Sequence, residues 1–175
     1  MEFHPFTEVA LLDAATLREL LAYDPETGVF TWRVRASNMP KGSVAGGLNG
    51  HGYILIWVRG RKYGAHRLGW LYTFGEWPPH EIDHINGARD DNRLANLRLA
   101  TRAQNEANTR RSSRNTSGVK GVSWHKRTST WRAHIVVNGK QKHLGHFTSI
   151  NAAAAAYQTA AATHFGEFAN PGNTG

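Results

Sequence analysis

The chain has 175 residues, no cysteine and 40% hydrophobic residues, which suffices for one ordinary domain or two small ones. The lack of cysteine excludes disulfides and cysteine-bound zinc, and no apolar run approaches the roughly 20 residues that a membrane-spanning helix needs. The N-terminal stretch contains acids and no basic leader, so we expect no signal peptide, no membrane partner and a cytoplasmic location.

The formal net charge is +8, and it is unevenly distributed. Residues 1–110 contain 13 Lys and Arg against 12 Asp and Glu, whereas residues 111–175 contain 8 basic residues and one acid, Glu167. This asymmetry indicates a C-terminal part that binds a polyanion, joined to a part with a different task. A general solubility charge is the alternative.

The first 80 residues are predicted to form short helices and strands. A helix is predicted over residues 14–22, with Asp13 as its N-cap, and a strand over residues 29–32. Glycine, serine and asparagine in residues 36–52 indicate a loop. The pattern then predicts a strand over residues 53–58, a basic hairpin turn at 59–62 and a helix over 66–74.

The next thirty residues predict strand, loop, strand and helix in that order. The strands are expected at 81–85 and 96–99, and a helix capped by Thr101 is expected to extend through Arg110. The polar, basic residues 111–118 are predicted to be a linker. We therefore expect one domain over residues 1–110 and a second over 119–175.

The C-terminal part predicts three antiparallel strands followed by one helix. Apolar residues alternate with polar ones around Val122 and Ile135, and Asn138-Gly139 is a strong hairpin signal. An alanine-rich helix is expected over about 151–164 and is terminated by Gly166. The fold class is therefore expected to be α+β, with this sheet packed on its helix.

Asp83, His84 and Asn105 carry the groups that phosphodiester hydrolysis needs. A neutral imidazole can activate water, and carboxylate and amide oxygens can hold a hard cation beside the phosphate. Taken singly, Asp83 could instead cap a turn and His84 could be a packed strand residue.

This stretch resembles the HNH homing endonucleases of the phage- and intron-encoded type. The matching residues are Asp83-His84-Ile85-Asn86-Gly87, Asp91-Asn92-Arg93, Asn96-Leu97, Thr101 and Gln104-Asn105. The resemblance implies a ββα-metal core over about 80–110, with Asp83 and Asn105 as ligands of Mg²⁺ or Mn²⁺ and His84 as general base. It also implies that Asn96 bridges the loop and fixes the backbone of His84.

Several nearby residues keep two interpretations. Asn108, one turn beyond Asn105, is either a further ligand or a solvated polar residue. His66 either shapes the site or is structural. Three arginines could hold phosphates or balance nearby acids, namely Arg93, Arg98 and Arg102.

The C-terminal part resembles the Apetala-type DNA-binding domain, which lays a three-stranded sheet in the major groove. The matching elements are Gly121-Val122, Trp131 with Ala133 and Ile135, Leu144-Gly145 with Phe147, the helix around Tyr157, and Phe165-Gly166-Glu167-Phe168-Ala169-Asn170. An RNA-binding or acidic-protein-binding domain is the alternative.

Strand alternation then divides the sheet residues between two faces. The face toward the helix is expected to hold Val122, Trp124, Trp131, Ala133, Ile135, Leu144 and Phe147. The face toward DNA is expected to hold Ser123, His125, Arg127, Arg132, His134, Gln141 and His143. Salt-dependent affinity is expected from Lys120 and from Arg110, Arg111 and Arg114.

Together these features predict a site-specific DNA endonuclease of the HNH homing type that nicks one strand of double-stranded DNA per monomer. We expect a monomer in solution, with a dimer on DNA left open, in the host cytoplasm if the gene belongs to a phage. Because cutting and site selection are assigned to separate domains, residues 1–110 alone should retain weak, unspecific nicking. The alternative is a non-catalytic, sequence-specific DNA-binding regulator that retains a nuclease-like fold.

Overall fold

The computed structural model describes residues 12–109 and 115–170. Its contacts divide the chain into two compact units, of which the first contains the residues up to Pro79 together with Arg89–Leu97. The second contains His80–Ala88 and the residues from Arg98 onward. This division falls within the predicted first domain rather than at the predicted linker. No helix in the described ranges combines the length and apolar composition needed to cross a membrane.

The first unit begins with helix α1 (Ala14–Leu20), whose N-cap Asp13 accepts a hydrogen bond from the Thr16 amide at 2.7 Å. Strand β1 (Leu21–Tyr23) follows directly and pairs antiparallel with β2 (Phe30–Trp32). The predicted extension of the helix to residue 22 is therefore wrong, because strand pairing with β2 prevails over the local helical pattern.

A second small sheet in this unit consists of β3 (Gly47–Leu48), β4 (Ile54–Val58) and β5 (Arg61–Gly64), and helix α2 (Ala65–Phe74) packs against it. The β4–β5 turn is shorter than predicted, because residues 61 and 62 already pair with β4. The largest fully buried side chains of this unit are those of Phe30, Leu17, Leu21, Ile56, Leu68 and Leu71.

The second unit begins with β6 (Glu81–His84), which pairs with β7 (Leu97–Ala100). Helix α3 (Arg102–Asn108) follows and packs on β6. The helix starts with a capping box, in which Thr101 and Gln104 each accept a hydrogen bond from the other's amide. The predicted order of strand, loop, strand and helix is thus confirmed.

The C-terminal sheet contains β8 (Val122–His125), β9 (Thr130–Val137) and β10 (Lys140–Phe147), with β9 in the centre. Helix α4 (Ile150–Phe165) is capped by Ser149 and packs across all three strands. The hairpin at Asn138-Gly139 is confirmed. The buried core between sheet and helix consists of Val122, Ala133, Ile135, Ala153, Tyr157 and Ala161.

A β-bulge interrupts β10 between His143 and Gly145. Strict alternation would place Leu144 and Phe147, three residues apart, on opposite faces. Both nevertheless pack against the core under α4, as the sequence predicts. The extra residue at the bulge makes this possible, because it shifts the side-chain parity of all later residues.

Gly121 and Gly139 both have left-handed backbones, with φ of 70° and 73°, but only Gly121 is closely surrounded. A Cβ at Gly121 would overlap the ring of Tyr157 and the carbonyl of His134, whereas nothing lies within 4 Å of one at Gly139.

We expect Gly139→Ala to cost about 1 kcal/mol from backbone strain alone, and Gly121→Ala about 3 kcal/mol because overpacking is added. Urea denaturation of the two variants measures the difference. Equal losses of stability would contradict the close approach of Tyr157 to Gly121.

Candidate functional site

Asp83 lies on β6 with only 3% of its surface exposed. Arg98 on β7 donates from Nε and Nη2 to Asp83 Oδ2, at 2.9 and 2.8 Å. Asn108 on α3 donates from Nδ2 to both carboxylate oxygens, at 2.9 and 3.1 Å. A buried carboxylate is costly unless it is paired and hydrogen-bonded. These two partners therefore allow Asp83 to lie here.

The same Asn108 amide also fixes the residue that follows Asp83. Its Nδ2 donates to the His84 carbonyl at 2.8 Å, and the Gly87 amide donates to that carbonyl at the same distance. His84 is 4% exposed. One buried side chain on α3 thus holds both the Asp83 carboxylate and the backbone that carries the imidazole of His84.

A second pair lies next to the first. Glu81 is two residues before Asp83 and therefore lies on the same face of β6. Asn105, one turn before Asn108 on α3, donates from Nδ2 to Glu81 Oε2 at 2.8 Å. Each asparagine of α3 thus contacts a different carboxylate of β6. The structure pairs Asp83 with Asn108 and pairs Asn105 with Glu81.

The chemistry of these groups fits a hard cation. Carboxylate and amide oxygens are the ligands that Mg²⁺ and Mn²⁺ prefer. No cluster of three or more His, Cys, Asp or Glu side chains placed to bind a metal ion occurs among the residues that the structure describes. Mg²⁺ does not require such a cluster, because it keeps several waters and is often bound by one or two protein oxygens together with substrate phosphate.

Asn96 lies in the first unit, in the 3-10 turn Leu94–Asn96, and is 7% exposed. Its Nδ2 donates to the Asp91 carbonyl at 2.8 Å, across the loop that precedes the turn. Asn92, in the same loop, is buried, and its carbonyl accepts a hydrogen bond from the Tyr23 hydroxyl at 2.7 Å. His66 lies near the start of α2, with its ring 5.3 Å from that of Tyr53.

Arg93, Arg98 and Arg102 were expected either to hold phosphates or to balance acids, and each of them pairs with an acid. Arg93 donates from Nε to Asp91 at 2.8 Å, and Arg102 donates to Glu106 at 3.0 Å on the surface of α3. Arg98 differs from these two because its acid is the buried Asp83 and its own side chain is only 15% exposed.

The open face of the C-terminal sheet carries mostly polar side chains, together with the half-exposed Val136. Cross-strand partners share a face, and Ser123 pairs with Arg132, Arg132 with His146, and His134 with His143. The histidine rings lie close together, at 5.1 Å between His125 and His146 and 4.9 Å between His143 and His146. The sequence predicted His125, His134 and His143 for this face but missed His146, because the bulge in β10 changes its parity.

Burial lowers the pKa of His134, with further contributions from Arg132 and His143. Burial likewise lowers the pKa of His146, followed by the charges of His143, His125 and Arg132. A neutral imidazole has one donor and one acceptor nitrogen. The face therefore offers both kinds of hydrogen-bonding group at neutral pH.

The other residues predicted to contact DNA lie in several different places. Arg127 is exposed in the β8–β9 turn, and Gln141 is exposed on the open face opposite Val136. Lys120 is directed to α3, where its Nζ donates to the carbonyls of Ala107 and Thr109 at 2.7 and 2.6 Å. Arg110, Arg111 and Arg114 lie outside the described residues. Trp124, expected under the helix, is 47% exposed beside Trp131.

A family model for HNH endonucleases matches residues 63–107, which include Asp83, His84, Asn96 and Asn105. The chain is also 39% identical over 88 residues to Protein 3.8 of Escherichia phage T7, a match that covers 50% of this chain and 72% of that protein. Residues 63–107 therefore belong to an HNH endonuclease domain.

Two further relatives match smaller shares of their own length. An uncharacterized HNH endonuclease of Acanthamoeba polyphaga mimivirus is 37% identical over 90 residues, which is 51% of this chain and 46% of that protein. APETALA2-like protein 2 of Oryza sativa is 44% identical over 64 residues, which is 36% of this chain and 15% of that protein. No solved structure matches the chain.

The HNH match and the structure emphasise partly different residues. Glu81 and Arg98 lie within the matched range but were not assigned to the site from the sequence, and Asn108 lies one residue beyond it. A two-residue period from Asp83 along β6 points to Glu81, and helical spacing from Asn105 points to Asn108. No feature of the sequence around Arg98 distinguishes this arginine from Arg93 and Arg102.

We expect the two asparagines of α3 to differ in their effect on stability. Asn108→Ala should lower the free energy of unfolding by about 2–3 kcal/mol, because Asp83 and the His84 carbonyl lose a buried donor. Asn105→Ala, whose hydrogen bond to Glu81 is exposed, should cost less than about 1 kcal/mol. Chemical denaturation in EDTA compares them. Similar losses would contradict the different burial of the two pairs.

Proposed function

We propose that this chain is a metal-dependent, site-specific DNA endonuclease of the homing type, with Asp83 and Asn105 as metal ligands and His84 as general base. The main support is that the HNH match includes a buried carboxylate, Asp83, whose orientation is fixed by two partners. A carboxylate that only stabilised the fold could equally lie on the surface, where pairing is inexpensive.

When bound by Asp83 and Asn105, Mg²⁺ or Mn²⁺ would neutralise charge on the scissile phosphate and on the leaving oxygen. His84 accepts the proton of the attacking water, since imidazole is the side chain that ordinarily titrates near neutral pH. Asn108 and the Gly87 amide hold the His84 carbonyl, which limits the backbone movement that would misplace the imidazole. Asn96 stabilises the preceding loop through Asp91.

Water attack on the phosphorus breaks the bond to the 3′ oxygen, which takes up a proton, and leaves 5′-phosphate and 3′-hydroxyl ends. The chain has one Asp83-His84 pair, so one monomer hydrolyses one strand at a time. We propose that the protein is a monomer in solution and that a double-strand break needs a second copy on the DNA or a second encounter. The phage relative is consistent with action in a host cytoplasm.

We propose that the open face of the C-terminal sheet selects the site by binding the major groove of double-stranded DNA. The partial similarity to an APETALA2-like protein supports an Apetala-type domain here. The chemistry of the face supports it as well, because Arg132 and the exposed Gln141 can pair with base edges and phosphates, and the neutral imidazoles can donate and accept.

We expect His84→Ala to lower the rate of Mg²⁺-dependent nicking of supercoiled plasmid by about 10²- to 10⁴-fold, the usual contribution of a general base. EDTA should abolish nicking by the wild type. His164→Ala, on the exposed last turn of α4, is the matched control and should nick normally. If wild type and His84→Ala leave plasmid equally intact across salt concentrations and target DNAs, the non-catalytic regulator is the correct interpretation.

We expect the affinity for duplex DNA, measured in EDTA at fixed salt, to rise about tenfold between pH 8 and pH 6. The pKa values of His134 and His146 are lowered in the free protein, and nearby phosphates raise them. Binding therefore takes up protons and strengthens as pH falls. Fluorescence anisotropy should show less than about threefold change for the double variant His134→Gln, His146→Gln. A pH dependence equal to that of His164→Gln would exclude these histidines from the interface.

A further inference from the structure

The five residues after α4, Gly166–Asn170, include two that contact Arg98, and we name this segment the C-terminal clamp. Arg98 Nη1 donates to the Glu167 carbonyl at 3.0 Å. The Arg98 guanidinium carbon lies 3.8 Å from the centre of the Phe168 ring, close enough for a cation–π interaction. Phe168 is 7% exposed. The arginine that pairs with Asp83 thus has its guanidinium plane fixed by the clamp.

The clamp also contacts the other partner of Asp83. Asn170 donates from Nδ2 to the Asn108 carbonyl at 2.9 Å, and lies 3.4 Å from Asn108 Oδ1. That carbonyl is at the last residue of α3, where helix carbonyls have no partner within the helix. Both side chains that orient the Asp83 carboxylate therefore lie against the same five residues.

A separate contact fixes the end of α3 from the start of the C-terminal sheet region. The Lys120 ammonium donates to the carbonyls of Ala107 and Thr109 at 2.7 and 2.6 Å, which places a cation at the negative end of the helix dipole. Burial lowers the pKa of Lys120 to about 8. The helix that carries Asn105 and Asn108 is thus attached to residues of the C-terminal part at its end.

We infer that Phe168 and Asn170 are positioning residues for the nuclease carboxylate, acting through Arg98 and Asn108. This inference rests on the proposed function. A metal ligand needs lone pairs in a fixed direction, and Arg98 and Asn108 determine which directions at Asp83 are already used. The residues that follow the C-terminal sheet are therefore needed for cutting as well as for the fold of their own domain, in contrast to the expectation that residues 1–110 suffice for weak nicking.

The test uses the full chain with single substitutions. In Phe168→Leu and Asn170→Ala, we expect the Mg²⁺ concentration for half-maximal plasmid nicking to rise about tenfold, the usual effect of losing an outer partner of a metal ligand. Duplex binding in EDTA should stay within twofold of wild type. Phe168→Tyr keeps the ring and should restore the wild-type metal dependence.

Glu167→Gln is the matched control within the clamp. Its side chain is 78% exposed with Oε2 3.8 Å from Arg98 Nη1, and the hydrogen bond to Arg98 uses the backbone carbonyl. It should therefore change the metal dependence less than twofold. An equal rise in Glu167→Gln, or wild-type metal dependence in both Phe168→Leu and Asn170→Ala, would overturn the inference while leaving the nuclease activity established.

A metal-free measurement tests the same contacts without catalysis. The NMR cross-peak of the Arg98 Nε–Hε group, assigned by its loss in Arg98→Lys, should move and broaden in Phe168→Leu and remain in place in Glu167→Gln. If the wild type shows no metal-dependent nicking, the proposed function fails. This spectrum then tests by itself whether Phe168 fixes the position of the Arg98 guanidinium group. An unchanged cross-peak in Phe168→Leu would overturn it.

Discussion

The burial of the Asp83 carboxylate is the constraint on which the second unit depends. A buried charge without partners would cost several kcal/mol, so the fold must bring it a cation and a hydrogen-bond donor. Arg98 on β7 and Asn108 on α3 meet this need only when the two strands pair and the helix packs on β6. The order of strand, loop, strand and helix therefore brings both partners to this one side chain within a short stretch of sequence.

The two carboxylates of β6 differ in exposure and in their hydrogen-bond partners. Asp83 is buried with both oxygens hydrogen-bonded, whereas Glu81 is exposed and is bonded by Asn105 near the surface. Neighbouring turns of one helix thus place Asn108 in a buried pair with Asp83 and Asn105 in an exposed pair with Glu81.

The features predicted correctly from the sequence all have local signals. The caps at Asp13 and Thr101 form hydrogen bonds to residues three positions away, and the turn at Asn138-Gly139 needs only its own two residues. Arg98 and Asp83 are 15 positions apart in the sequence, and Asn170 and Asn108 are 62 positions apart. At such sequence separations, neither helical nor strand periodicity predicts a contact. The bulge in β10 concealed His146 for the opposite reason, because one inserted residue invalidates a simple period-2 pattern.

The charge asymmetry of the chain accounts for only some of the contacts that the C-terminal part makes. The basic C-terminal part does present arginine and histidine on the open face of its sheet. Its single acid, Glu167, lies in the C-terminal clamp with its carboxylate 3.8 Å from Arg98, the arginine that pairs with Asp83. Net charge describes a surface as a whole, whereas the hydrogen bond from Arg98 to this residue uses the Glu167 backbone carbonyl. The contact between this segment and the arginine that pairs with Asp83 is therefore not evident from charge alone.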